Sequence, residues 1–178
     1  MPTLRHMRTV LDKIPCKFDI NAVLKRLHME TDGDMADEVR RLVHIAQPLV
    51  RPKVVYQVCS VGKRDAGSVV VGSVRFESTV LSHNLEKADR VFAYVASCGT
   101  ELAAMDAGDD PFVAPFCREI LKEQALTAAR NSMIQDIEKR FAPGSLASLN
   151  PGSGPRHLWP IEQQKELFSL LGDVTGRI

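Results

Sequence analysis

Apolar residues recur along this chain first at helical and then at strand spacing, and the change of period predicts its elements. Ile20, Val23, Leu24 and Leu27 lie three or four residues apart and form one face of a short helix that Asp19 can cap. Met35, Val39, Leu42, Val43 and Ala46 repeat the pattern behind a second capping candidate, Asp34, until Pro48 ends it. From Lys53 the residues become β-branched and alternate, with Val54, Tyr56 and Val58 opposed to Val55, Gln57 and Cys59, as a half-buried strand requires. Val69, Val70 and Val71 are its expected partner, residues 62–67 a longer hairpin loop, and Phe76 an extension of the same antiparallel sheet. That loop lacks Gly-Lys-Ser/Thr and a following helix, so it does not hold a phosphate.

Residues 79–88 then read as a short helix, and residues 91–96 as a near-continuous apolar run suited to a central strand buried on both faces. Thr100, Glu101 and Leu102 start a helix in this reading, and Gly108, Asp109, Asp110 and Pro111 break it. A long helix follows to about Phe141. Along it Val113, Phe116, Cys117, Ile120, Leu121, Ala125, Ala128, Met133, Ile137 and Phe141 drift at helical spacing, which makes it the expected support of the sheet. Ala142, Pro143 and Gly144 stop it. The expected fold class is α+β: a helical N-terminal segment over residues 1–50, then a core over 51–178 with a central twisted, mainly antiparallel sheet packed by the long helix, the whole forming one compact unit.

A rigid loop closes the sequence of elements. Pro151, Pro155 and Pro160 each fix φ, while Gly152 and Gly154 permit positive φ and a close backbone approach to a ligand. Trp159 is the only tryptophan, and with Pro151 and Pro160 it is the expected anchor of the loop. Directly after it, Ile161, Lys165, Phe168 and Leu170 recur at helical steps, so the N-terminal amides of a helix point back toward the loop.

Composition narrows the function classes. With 178 residues, 44% hydrophobic and 25% charged, the chain is of globular composition. A net charge of +1 without a basic block gives no footprint for nucleic acid. No apolar run approaches the roughly 20 residues that span a bilayer, and the first 14 residues lack a signal-peptide core, so the expectation is a cytoplasmic protein with no membrane partner. Cys16, Cys59, Cys98 and Cys117 form no C-x-x-C pair, and the five histidines are dispersed without ligand spacing, so no metal site is expected. Cys59 and Cys117 read as small core residues. Cys98 lies between an expected strand and an expected helix start, where amide dipoles would lower a thiol pKa, and it is the candidate reactive thiol. No Gly-x-Ser-x-Gly elbow is present.

The stretch from Leu149 to Asp173, LNPGSGPRHLWPIEQQKELFSLLGD, resembles a segment of the reactivation domain of cobalamin-dependent methionine synthase and of free-standing proteins built on that domain. In the synthase domain the loop reads Arg-x-x-Pro-Gly-Tyr before a helix with a Lys and a Leu-Leu ending. Here Pro151 and Gly152 keep the turn, and Gln164-Lys165 through Leu170-Leu171-Gly172 resembles the helix, while Ser148 and Ser153 stand where the arginine and tyrosine would be. Free-standing relatives are more similar, with Asn/Ser-Pro-Gly-Ser and Trp-Pro-Ile-x-x-Gln in the loop. Upstream, VFAYVASCGT from Val91 to Thr100 resembles the strand and turn that precede a long helix in that domain. Relatives continue past the Leu-Leu-Gly-Asp helix, so the resemblance implies a C-terminally shortened core.

The resemblance implies an accessory protein of corrinoid-dependent methyl transfer, a cobalamin-dependent methyltransferase system. Its partner would be a corrinoid protein or methyltransferase that carries the corrinoid, and a low-potential electron donor would supply the reduction. The family's chemistry is reductive methylation, in which reduced cobalt is trapped by S-adenosylmethionine. A pocket for that sulfonium needs a carboxylate for its cations, donors for its tail and a backbone edge for adenine. The candidates are the backbone amides of Gly152, Ser153 and Gly154, Arg156 as a replacement carboxylate partner, and Glu162 in the first helical turn. A binding module that keeps the docking face without S-adenosylmethionine is the alternative, and an enzyme using Cys98 is a third.

Overall fold

The computed structural model describes residues 8–105, 113–152, 155 and 158–176. The chain is α+β, with five strands, five α-helices and one 3-10 turn among the described residues. It divides into two compact units, one from Met1–Val10, Val55–Val95 and Phe141–Arg177, the other from Leu11–Val54 and Ala96–Arg140.

The helical unit is built on α1 (Ile20–Arg26), α2 (Asp34–Ala46) and most of α4 (Val113–Phe141). Asp19 caps α1 as expected, its carboxylate accepting from the Ala22 amide at 3.0 Å. Gly33, with φ +102°, caps α2 instead of Asp34, which forms the first helical residue and places its charge at the positive end of the helix. The faces interlock: Val23, Leu24, Val39, Leu42, Ala46, Cys117, Leu121 and Ala125 belong to one buried cluster. The N-terminal half of the long helix thus packs with the helical segment that precedes it by some 70 residues, a partnership that periodicity alone does not assign. Met35, expected on the inner face of α2, is exposed, and Ala36 is buried in its place. Two side-chain amides stitch the unit together. Gln47 accepts from the Phe18 amide and donates to the Cys16 carbonyl at 2.8 Å, and Gln124 accepts from the Asp19 amide at 2.9 Å.

The other unit holds the sheet of β1 (Arg8–Leu11), β2 (Lys53–Arg64), β3 (Ser68–Val71), β4 (Val74–Glu77) and β5 (Arg90–Ser97). The order is β1-β2-β3-β4, with β5 also pairing β2. The β2–β3 and β3–β4 pairs are antiparallel, Val69 facing Phe76 and Val61 facing Val71. β1 is a strand that no pattern announces, since four residues are too few to display a period.

The first hairpin is tighter than expected. β2 continues through Gly62 to Arg64, with an irregularity in register between Val61 and Arg64, and only three residues turn the chain. Asp65 organises that turn, accepting from the Gly67 amide at 3.0 Å and the Ser68 hydroxyl at 2.9 Å. The Ser68 hydroxyl first, then the Gly67 amide, hold its carboxyl below the usual range.

α3 (Thr79–Asn84) follows β4, capped by Ser78. β5 departs from the expectation of burial on both faces: only Ala93 is buried, and most of the strand is half-exposed. An apolar run marks a strand, but it cannot report whether both of its faces are covered. No helix starts at Thr100. Residues 101–104 form turns, and the expected break at Gly108–Pro111 lies outside the described residues. Among the described residues no helix is long and apolar enough to cross a membrane.

Candidate functional site

The loop after α4 is fastened at its two described flanks. α4 ends at Phe141, and Ala142 takes φ +42°, the left-handed conformation that terminates many helices. Phe141 packs on Phe92 of β5 at 5.2 Å between ring centroids. Farther along, Ser148 exchanges a hydrogen bond with the Tyr94 hydroxyl at 2.9 Å. Pro151 and Gly152 then make the turn, with Gly152 at φ +85°. Its amide donates to the Trp159 carbonyl at 2.9 Å and closes the loop. The positive φ favours glycine here, and a Cβ at Gly152 would also lie tight against Ile161 at 3.2 Å.

Trp159 is the anchor that its uniqueness suggested. It is 5% exposed and packs edge-on against Phe76 of β4, with centroids 6.4 Å apart and planes at 84°. Beside it, the Leu158 carbonyl accepts from the Ser78 hydroxyl at 2.8 Å, while the same oxygen of Ser78 accepts from the Leu81 amide. One serine therefore caps α3 and clamps the loop. Pro160 leads into the 3-10 turn Ile161–Gln163 and then α5 (Gln164–Leu171), which packs on β4.

The helix turns a different face inward from the one that its apolar residues suggested. Ile161 and Phe168 are 54% and 44% exposed, and Lys165 is exposed between them. The inward positions are Gln163, Glu166, Leu167 and Leu170, spaced i, i+3, i+4 and i+7, with Leu170 buried and the other three half-buried. Three polar atoms at this junction are buried with no hydrogen-bond partner among the described residues: Trp159 Nε1, Gln163 Oε1 and Glu166 Oε2. Buried polar atoms are nearly always paired, and an unpaired one costs about 1–3 kcal/mol. Gln163 and Glu166 are not among the candidates named from the sequence. The signal that would have found them is their register with Leu170 rather than with Phe168.

The five residues proposed for S-adenosylmethionine fare unequally. Ser153, Gly154 and Arg156 lie outside the described residues. The Gly152 amide is engaged by Trp159, so it holds the loop instead of facing a ligand. Glu162 is exposed in the 3-10 turn, one residue before the inward-facing Gln163. The Ser148 hydroxyl is held by Tyr94 and supplies no cation. The described part of the loop thus provides a rigid frame, while its only inward carboxylate is Glu166.

Cys98 belongs to the helical unit and is half-buried. Burial raises its thiol pKa, against a smaller opposing pull from its own backbone and from Lys122. The depression expected from a helix start is missing because residues 101–104 are turns. Cys59 and Cys117 are buried, as core thiols should be. An open depression of about 440 Å³ lies at Lys17, Phe18, Asp19, Ile20, Asn21 and Arg40, and it includes none of the candidate site residues named from the sequence. Among the described residues, no group of three or more His, Cys, Asp or Glu could hold a metal ion. Comparison of the chain with protein-family models and with curated proteins finds no match to either.

Proposed function

We propose that this chain is an accessory protein of corrinoid-dependent methyl transfer, similar to the reactivation domain of methionine synthase, that docks on a corrinoid-bearing partner and assists its reductive reactivation. The observation that carries the reading is the fastened bend. Its two described flanks are tied by Gly152 to Trp159, by Ser78 to Leu158 and by the buried indole, so the ends of the segment that bears the resemblance are fixed relative to β4 and α3. A preorganised loop binds at lower entropic cost than a free one, and positioning with exclusion of water is the share of the work that a protein contributes when a cofactor supplies the chemistry. The corrinoid would reside on the partner, and a low-potential donor would supply the electron.

Titration calorimetry with S-adenosylmethionine tests the catalytic form of this reading. Saturable heat supports it, and silence removes it. A second form is favoured by a specific observation: Ser148 is bound to Tyr94 and the Gly152 amide to Trp159, so two groups of the related pocket are engaged within the protein. In that form the chain docks on a corrinoid protein or methyltransferase without holding S-adenosylmethionine. It predicts calorimetric silence with that ligand together with co-elution with a corrinoid protein in gel filtration, and a chain that neither binds S-adenosylmethionine nor co-elutes ends the methyl-transfer proposal.

A further inference from the structure

We propose that Trp159, Gln163 and Glu166 form a binding site for the zwitterionic headgroup of an α-amino acid. The inference goes beyond the methyl-transfer reading, since it uses the inward face of α5 and none of the loop residues named for S-adenosylmethionine. Its starting point is an inventory of unsatisfied groups. Trp159 is 5% exposed, yet its indole N–H has no acceptor among the described residues; Gln163 Oε1 and Glu166 Oε2 have no donor. An indole N–H can only donate, a carboxylate can only accept, and an amide oxygen can only accept. The set therefore needs a ligand with several donors, positive charge opposite Glu166, and an acceptor for the indole.

An ammonium provides three donors and the charge, and a neighbouring carboxylate provides the acceptor. An α-amino acid holds both on one carbon. The packing supports a common site, because Gln163 and Glu166 sit three residues apart on the face that buries Leu170, α5 packs on β4, and the buried indole of Trp159 lies against Phe76 of that same strand. The frame is fixed. Phe76 packs edge-on against the indole, and Gly152 ties down the Trp159 carbonyl. Ordered water could satisfy the same atoms singly, since it both donates and accepts. Water, however, gives no selectivity for a zwitterion over its separate halves.

Trp159 is the only tryptophan, so the emission of the full 178-residue chain reads this site directly. The titrants are L-methionine, L-leucine, L-lysine and L-glutamate, with n-butylamine and butyrate as the separate cationic and anionic halves. The expected result is a saturable change in emission with at least one amino acid and at least tenfold weaker responses to both halves. Glu166→Gln and Gln163→Leu should each weaken binding at least tenfold, with far-UV circular dichroism unchanged. Unmoved emission with all four amino acids overturns the proposal, as does equal affinity for a half-ligand or undiminished binding in folded variants. Should a variant fail to fold, the comparison of whole and half ligands on the unmutated chain still decides. S-adenosylmethionine carries the same headgroup, so its heat is compared in the parent chain and in Glu166→Gln. Heat kept in the variant supports the catalytic form independently of this site, and heat lost with the variant belongs to this site. A response to free amino acids without any to S-adenosylmethionine removes the catalytic form alone.

Discussion

The helical unit and the junction of loop and α5 place their polar and apolar residues by opposite rules. In the helical unit Val39, Leu42, Leu121 and Ala125 are fully buried, and Gln47 and Gln124 find main-chain partners. At the junction Ile161 and Phe168 face solvent while an indole nitrogen, an amide oxygen and a carboxylate oxygen are shut in without partners among the described residues. A stretch shaped only for stability would exchange these positions, since burying apolar area is favourable and burying unpaired polar atoms is not. Stability and the proposed site therefore have different addresses in this chain. The contrast yields its largest expected effect at Leu121. Leu121→Ala should lose about 2–5 kcal/mol in urea unfolding, whereas Phe168→Ser should stay within about 0.5 kcal/mol. A large loss from Phe168→Ser would place that ring in a core and dissolve the contrast.

A second test uses the Cys117 thiol of the helical unit. Burial first, and then the Glu38 carboxylate, raise its pKa from 9.0 to about 11. The folded value lies above the unfolded one, so the contribution is complete below about pH 9 and is lost as pH rises through about 11, because the unfolded chain releases its proton first. At about 1.4 kcal/mol per unit, the loss is on the order of 3 kcal/mol. Urea unfolding of the parent and of Cys117→Ala across that window measures it as the difference between the two slopes. Parallel slopes would mean that the thiol is hydrated and the helical core open.

Ser78 offers a smaller effect that falls on the junction. Ser78→Ala removes the cap of α3 and the bond to the Leu158 carbonyl together, for a loss of about 1–2 kcal/mol. The loop should loosen with it. Red-shifted Trp159 emission at temperatures where the circular dichroism is still native would report that loosening, and an unshifted spectrum would show that the indole is held by Phe76 alone.

The same contrast explains what could be read from the sequence. The long helix ends at Phe141 as expected because 29 residues carry enough turns to define a period, and the β-branched alternation from Lys53 gives β2 and its hairpin partner. Short or uniform segments were illegible. Four residues hide β1, the run at residues 91–96 looks fully buried though β5 is half-exposed, and the capping pattern of Thr100 and Glu101 hides the absence of a helix there. At the loop, the uniqueness of Trp159 and the spacing of prolines and glycines located the bend and its anchor. The inward face of α5 stayed hidden for a physical reason: pattern reading assigns apolar residues to the inside, and here the inside carries Gln163 and Glu166. Where local pattern and fold disagree is where a functional site is to be sought.

The smallest effect concerns the residue between the long helix and the loop. Ala142 adopts φ +42°, a conformation in which a Cβ costs about 1–2 kcal/mol and which glycine enters freely. Ala142→Gly relieves that strain but gives the unfolded chain more freedom, worth about 0.4–1 kcal/mol in the other direction. The net expectation is a gain of about 0.5 kcal/mol, read as a small upward shift of the urea midpoint with an unchanged slope. Pro143 fixes the next φ, so the exchange should leave the exit direction of the chain, and the Trp159 emission, as they are. A loss of stability would mean that the alanine methyl makes contacts worth more than its strain, and that this helix end obeys the rule of the helical core rather than that of the loop it feeds.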